Sequence, residues 1–193
     1  KAAAASEVVA GRLTESLARG KQALARFPTP DRAAVDVPDD LDGAAIAIAT
    51  ACATEIGGAV PPWLDPSQPV RVATIWDDRE EPARVPFGLL FREALKARGW
   101  NVLPQGPAGG EAPTLVLVAS TPQAWKGTAE LTLTARAALE GILAGGRAYP
   151  VVFGHPRLLV GLETAGLCAW ATEPAMEPAA AWRLDELVRR TVS

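Results

Sequence analysis

Cysteine and histidine are the scarcest sources of chemistry in this chain of 193 residues: two cysteines, Cys52 and Cys168, and one histidine, His155. Both cysteines lie inside apolar runs, which predicts buried, inert thiols and rules out a disulfide framework or a thiolate metal cluster. A single imidazole excludes any site that needs two from this chain, so neither a metal nor another cofactor is expected. No stretch approaches the roughly 18 to 20 uncharged apolar residues of a membrane span, and no signal peptide is visible, so a soluble protein without a membrane partner is expected. There is no basic surplus either, with 19 Lys and Arg against 22 Asp and Glu and a net charge of −3. The densest basic stretch, residues 183–190, also holds Asp185 and Glu186, the pattern of a solvated helix face, and no nucleic-acid partner is expected. Gly106, Gly109 and Gly110 form neither a Gly-x-Gly-x-x-Gly nor a Walker pattern after a strand, which removes the simplest nucleotide reading.

What is present belongs to a folded protein. The hydrophobic fraction is 49% and the charged fraction 21%, enough for a sizeable core and too apolar for disorder. The length suits one domain plus an appendage. The start at Lys1, followed by an alanine run, has the look of a piece of a longer polypeptide, although tag removal or processing would leave the same end. Residues 6–27 carry Leu13, Leu17, Leu24 and Phe27 at helical spacing, and Pro28 ends that helix. A proline-stiffened connector follows, then a helix expected over 39–57, capped by Asp39 or Asp40 and too apolar to stand in water alone. Pro61, Pro62, Pro66 and Pro69 make a second rigid loop around Trp63. The expected organisation is a helical segment over 1–28, a linker with a helix over 29–69, and a domain over 70–193.

From Val70 strands and helices alternate. Residues 70–76, 100–103, 114–119, 149–153 and 167–171 read as strands, and 87–98, 131–143 and 175–190 as helices. Gly99 stops the first of these helices, and Gly145 with Gly146 the second. Alternation of this kind implies right-handed crossovers. The predicted fold is α/β, a mostly parallel sheet of about five strands sandwiched between helices and preceded by N-terminal helices.

The run Gly146-Arg147-Ala148-Tyr149-Pro150-Val151-Val152-Phe153-Gly154-His155-Pro156-Arg157 takes a Gly-terminated helix through a basic turn into a buried strand, which a Gly-x-Pro turn stops. It resembles the C-terminal α/β domain of family 3 glycoside hydrolases, where a Gly-Lys-Pro-like turn, a run of valines and a Phe-Gly-Asn-Pro-Tyr-like turn follow one another. Ala148-Tyr149-Pro150 departs slightly, and His155 stands where that pattern has Asn or Ser. Leu167-Cys168-Ala169-Trp170-Ala171-Thr172-Glu173-Pro174 looks like the family's final strand and the loop into its last helix. Gly11-Arg12-Leu13-Thr14-Glu15 looks like the end of the family's catalytic barrel. The resemblance implies an aspartate nucleophile and, in members acting on N-acetylglucosaminides, a Lys-His-Phe-Pro-Gly-His-Gly motif, both in that barrel. This chain has neither.

A retaining glycosidase needs two carboxyl groups about 5 to 5.5 Å apart. The dense acidic loop Asp77-Asp78-Arg79-Glu80-Glu81 follows a strand, where ligands of open parallel sheets bind, and some family members contribute an acid/base Glu from this domain. Glu80 and Glu81 are therefore acid/base candidates, against the plainer reading of a solvated loop balanced by Arg79 and Arg84. Trp76 and Trp125 follow strand ends and are candidates for stacking on a sugar, although tryptophans also fill cores and interfaces. His155 is a third substrate-binding candidate, against a hydrogen-bonded turn histidine. Two functions stand foremost, ahead of a pure interaction module that would dock a partner through the apolar helix at 39–57. One is the C-terminal, accessory or non-catalytic part of a glycoside hydrolase acting on β-N-acetylglucosaminides or β-glucosides, inactive alone, with the barrel of the same parent protein as partner and a carbohydrate as substrate. The other is a stand-alone flavodoxin-like module that binds or senses a small molecule through the loops at 77–84 and 120–127.

Overall fold

The computed structural model describes residues 41–77, 86–104, 112–120 and 130–192, together with Thr14, Ala18 and Gln22. The chain divides into two compact units, Lys1–Asp39 and Asp40–Ser193. Thr14, Ala18 and Gln22, in the helix expected over 6–27, are helical and exposed; the rest of that segment, and the capping candidates Asp39 and Asp40, lie outside the described residues.

In the second unit the order is α1 (Leu41–Cys52), β1 (Thr54–Ile56), β2 (Arg71–Trp76), α2 (Leu89–Ala97), β3 (Thr114–Ala119), α3 (Leu133–Leu143), β4 (Ala148–Phe153), a 3₁₀ turn (Pro156–Leu159), β5 (Gly166–Cys168) and α4 (Met176–Val192). The five strands form one sheet in the order β1-β5-β4-β3-β2, parallel throughout except for β1 against β5. The expected α/β sandwich is the observed fold.

Its core follows from the pleat. All six residues of β3 are buried, as a strand covered on both faces requires. Leu115 and Leu117 of β3, with Tyr149, Val151 and Phe153 of β4, face one way and meet Phe91 and Leu95 of α2 and Ala180, Ala181 and Leu184 of α4. Val116, Val118 and Val152 face the other way and meet Ala135 and Leu139 of α3. The Phe91–Leu95 and Ala135–Leu139 pairs are four residues apart, so each helix turns one stripe to the sheet. Gly99 ends α2 as expected. With φ at 87°, it donates its N–H to Lys96 O at 2.9 Å, while the Trp100 N–H reaches back to Leu95 O at 3.1 Å. These two bonds satisfy carbonyls that the last helical turn would otherwise leave open, the Schellman arrangement.

Three expectations are corrected. The helix expected over 39–57 stops at Cys52, and Thr54-Glu55-Ile56 forms β1, pairing Thr54 with Cys168 and Ile56 with Gly166. A three-residue edge strand carries too little periodicity to declare itself, and its pairing supplies what local sequence does not. Cys168 is buried, but Cys52 is exposed. Helix α1 packs against α4, with Ala49 buried on the helix and Ala53 buried just past its end, while Ile48 and Cys52 stay in water. The strand expected at 100–103 contracts to a single parallel bridge between Val70 and Val102.

That bridge sets the topology. Val70 N–H donates to Asn101 O at 2.9 Å and Leu103 N–H to Val70 O at 2.9 Å, whereas the next residue, Arg71, donates to Pro113 O at 2.8 Å on the β3 side. Successive strand residues point their polar groups to opposite edges, so Val102 lies outside β2, away from β3. The chain thus steps outward from β2 through α2, then returns to β3 and proceeds inward through β4 to β5. Helices α2 and α3 fall on opposite faces, as right-handed crossovers in opposite directions demand. The reversal makes the β2–β3 boundary the topological switch point.

Candidate functional site

Open parallel sheets hold ligands at the carboxyl ends of their strands near such a switch point, because diverging crossovers leave a crevice there. Trp76 and Ala119 end β2 and β3 in register, so Asp77 and Ser120 come next, both buried. Asp77 N–H extends the ladder to Ala119 O at 2.9 Å. Its carboxylate turns to α3: one oxygen accepts the Thr132 N–H at 2.8 Å and the other the Thr132 hydroxyl. Thr132 in turn caps α3, its Oγ1 accepting the Ala135 N–H at 3.3 Å. A negative carboxylate thus rests where the helix dipole is positive, and both of its oxygens are engaged. Its geometry is that of a clamp between strand and helix.

Of the five candidates, Glu80, Glu81 and Trp125 lie outside the described residues. Trp76 is half-buried and makes an edge contact with Phe87, centroids 5.1 Å apart; Phe87 meets Phe153 in the same way at 5.3 Å. An aromatic chain thus runs beneath the carboxyl end of the sheet. His155 is exposed at the end of β4 and caps the 3₁₀ turn, its Nδ1 accepting the Arg157 N–H at 3.1 Å. Gly154 before it has φ of 133°, and a Cβ there would lie 2.8 Å from Ser120 O, so only glycine lets β4 turn against β3.

The structure brings His155 beside a residue the sequence reading left out of its candidates, Trp170, with ring centroids 6.2 Å apart and planes at 78°. Trp170 follows the end of β5, is 49% exposed and has φ of 65°. Its indole N–H donates to Thr54 Oγ1 at 3.0 Å, across the β5–β1 pair. Nothing in a sequence marks a tryptophan for a left-handed backbone. Beneath it Cys168 directs its thiol to Gly154 O at 3.4 Å, and burial pushes that thiol's pKa up, against a smaller opposing pull from a hydrogen bond at Trp170. A thiol held protonated in this way is a poor nucleophile.

Two further buried carboxylates sit on α4. Asp185 accepts from Arg98 Nε at 2.8 Å, Trp100 Nε1 at 2.8 Å and Arg189 Nε at 2.9 Å. Burial works to raise its pKa, but the hydrogen bonds from Arg189, Trp100 and Arg98 outweigh it and hold the carboxyl below its ordinary range. Glu177 accepts the Phe91 N–H at 3.1 Å at the start of α2. Here burial wins over the hydrogen bonds from Phe91, Gly88 and Leu90 and the nearby Arg92, and the pKa is raised. Both groups join helices and neither opens to a cleft. A concavity of about 480 Å³, open to solvent, lies at the opposite end of the sheet, around Gly146, Ala148, Leu162 and Thr164 beside the start of β4. Its Glu140 is paired with Arg136 at 2.9 Å. Among the described residues no cluster of His, Cys, Asp and Glu could hold a metal ion, and no helix is long and apolar enough to cross a membrane.

Solved structures share this architecture. A beta-glucoside phosphorylase BglX matches with a TM-score of 0.58 and 16% identity, over 93% of this chain and 37% of its own. A glycoside hydrolase family 3 beta-N-acetylglucosaminidase from Paenibacillus sp. str. FPU-7 matches with a TM-score of 0.54 and 15% identity, over 82% of this chain and 33% of its own. This chain has a glycoside hydrolase family 3-like fold. It spans about a third of the length of these chains. No protein-family model and no curated protein matches the sequence. The likeness agrees with the resemblance over 146–174, which the structure resolves into β4, the 3₁₀ turn, β5 and the approach to α4.

Proposed function

We propose that this chain is the C-terminal, accessory part of a family 3-type glycoside hydrolase, whose catalytic barrel carries the nucleophile and whose substrate is a β-glucoside or β-N-acetylglucosaminide. The observation that carries this reading is the fit of nearly the whole chain onto about a third of much larger carbohydrate-active proteins. The setting of the three buried carboxylates among the described residues supports it: Asp77, Glu177 and Asp185 each serve a helix terminus or an ion pair. One matched protein is described as a phosphorylase and another as a β-N-acetylglucosaminidase, so the glycosyl acceptor, water or phosphate, belongs to the test. The 193-residue chain should release no nitrophenol from nitrophenyl β-glucoside or β-N-acetylglucosaminide, with or without phosphate. Turnover that disappears in the double variant Glu80→Gln, Glu81→Gln would overturn the accessory role and place a catalytic carboxylate in the 77–81 loop.

A second reading, a stand-alone small-molecule-binding module, is favoured by the Val70–Val102 bridge, which completes a flavodoxin-like strand order with its switch point. The coding sequence upstream of Lys1 separates the two: a barrel sequence supports the first reading, and a nearby start codon the second.

A further inference from the structure

Trp170 combines two costs that packing alone does not explain. It is the one non-glycine residue with a left-handed backbone among those described, a conformation costing about 1 to 3 kcal/mol for a bulky side chain. The Ala171 N–H donates to Ala169 O at 2.9 Å, closing a three-residue turn with Trp170 at its apex. Ala169 still belongs to the ladder, its N–H donating to Val152 O at 2.8 Å, so Trp170 is the first residue beyond the sheet. Finally, about half of the largest apolar side chain stays in water.

The ring is nevertheless held. Its N–H is fixed on Thr54, and its position is shared with the His155 imidazole 6.2 Å away. Since His155 Nδ1 accepts from the Arg157 N–H, the neutral ring carries its proton on Nε2, a donor with no partner among the described residues. The result is a rigid indole, partly bare, with one hydrogen-bond donor at its side, at the carboxyl end of a parallel sheet.

We infer that Trp170 and His155 form a binding platform for a hexopyranose ring, which stacks its C–H face on the indole and accepts a hydrogen bond from His155 Nε2–H through a ring hydroxyl. A pyranose matches both halves of the surface, since it presents an apolar face and an equatorial belt of hydroxyls. Preorganisation by the turn and by Thr54 lowers the ordering cost of binding. The sugar class rests on the glycosidase reading; the platform rests on the geometry. It lies beyond β4 and β5, two strands away from the acidic loop after β2.

Titrating the 193-residue chain with methyl β-glucopyranoside and with N-acetylglucosamine, followed by proton–nitrogen correlation spectra, observes the indole N–H groups directly. Trp170→Phe assigns the Trp170 signal. A saturable shift confined to that signal is expected. Sorbitol, an open-chain polyol without a ring face, should leave it unmoved. Trp170→Gly, which removes the ring and relieves the left-handed backbone, should weaken binding by about tenfold or more, while thermal melting shows the fold intact. His155→Asn, which keeps an acceptor for the Arg157 N–H, should weaken binding by severalfold. No saturable shift at Trp170, an equal response to sorbitol, or undiminished binding in folded Trp170→Gly overturns the platform. Hydrolysis by the chain alone would instead sink the accessory reading, so each can fail without the other.

Discussion

Removing the Asp185 carboxylate tests whether α4 is latched to α2 by charge as well as by packing. The side chain is fully buried and receives three donors, of which Trp100 Nε1–H is buried with it. Arg98 and Arg189 are 42% and 56% exposed along their side chains and can turn back to water. In Asp185→Ala the Trp100 N–H loses its acceptor in a dry environment, a cost of about 1 to 3 kcal/mol. Truncation also leaves a small void, so a total of about 2 to 4 kcal/mol is expected. For a domain of this size that corresponds to a fall in Tm of roughly 5 to 15 °C. Asp185→Asn keeps shape and one acceptor and should cost about half as much. The pH dependence has a definite sign. Because the folded-state pKa is depressed, the carboxylate's contribution is present above the unfolded value near 3.8 and is lost as pH falls through the lower folded value. Urea titrations followed by far-ultraviolet circular dichroism at pH 7 and in steps below pH 4 should therefore show wild type and Asp185→Asn converging in acid. A cost below about 1 kcal/mol for Asp185→Ala, or a gap that does not change with pH, would refute the latch.

Glu177 should behave in the opposite sense. Its pKa is raised, mainly by burial, so its stabilising contribution is full below the unfolded value near 4.5 and declines as pH rises through the folded value. Glu177→Gln, which still offers an oxygen to the Phe91 N–H, should be neutral or stabilising at pH 7 in thermal melts, whereas Glu177→Ala should destabilise by about 1 to 3 kcal/mol. Asp77→Ala should free the start of α3 at a cost of about 1 to 2 kcal/mol, seen as faster amide exchange at Thr132 and Ala135. Equal exchange in mutant and wild type would count against the clamp. Gly99→Ala meets nothing within 4 Å and should cost only the backbone term, about 1 kcal/mol, while Gly154→Ala also collides with Ser120 O at 2.8 Å and should cost distinctly more. The order of these two losses in urea denaturation checks the assignment.

Much of the architecture was legible in the residues because it rests on periodicity. The β-branched run at 114–119, the Phe91–Leu95 and Ala135–Leu139 spacings, and the glycines after α2 and α3 each describe a local balance of burial and backbone freedom. The valine-rich turn-bounded segment at 146–159 was specific enough to suggest a family-level likeness, and the fold shares that likeness. Edge pairing was not legible. Thr54-Glu55-Ile56 is a strand only because Gly166, Leu167 and Cys168 lie beside it, and 100–103 is almost none because its partner contributes one residue.

The site divides along the same line. Sequence by itself determined that one imidazole and two thiols are all this chain has, and that its acidic loop follows a strand. Only tertiary structure decided that Asp77 is turned onto Thr132, that Trp76 joins an aromatic row, and that His155 stands beside Trp170. Residues 155 and 170 are separated by a 3₁₀ turn and a strand, and Thr54 lies more than a hundred positions from the indole it anchors. Such meetings come from strand register and the reversal at β2, which arise from long-range pairing and the handedness of crossovers rather than from any local preference.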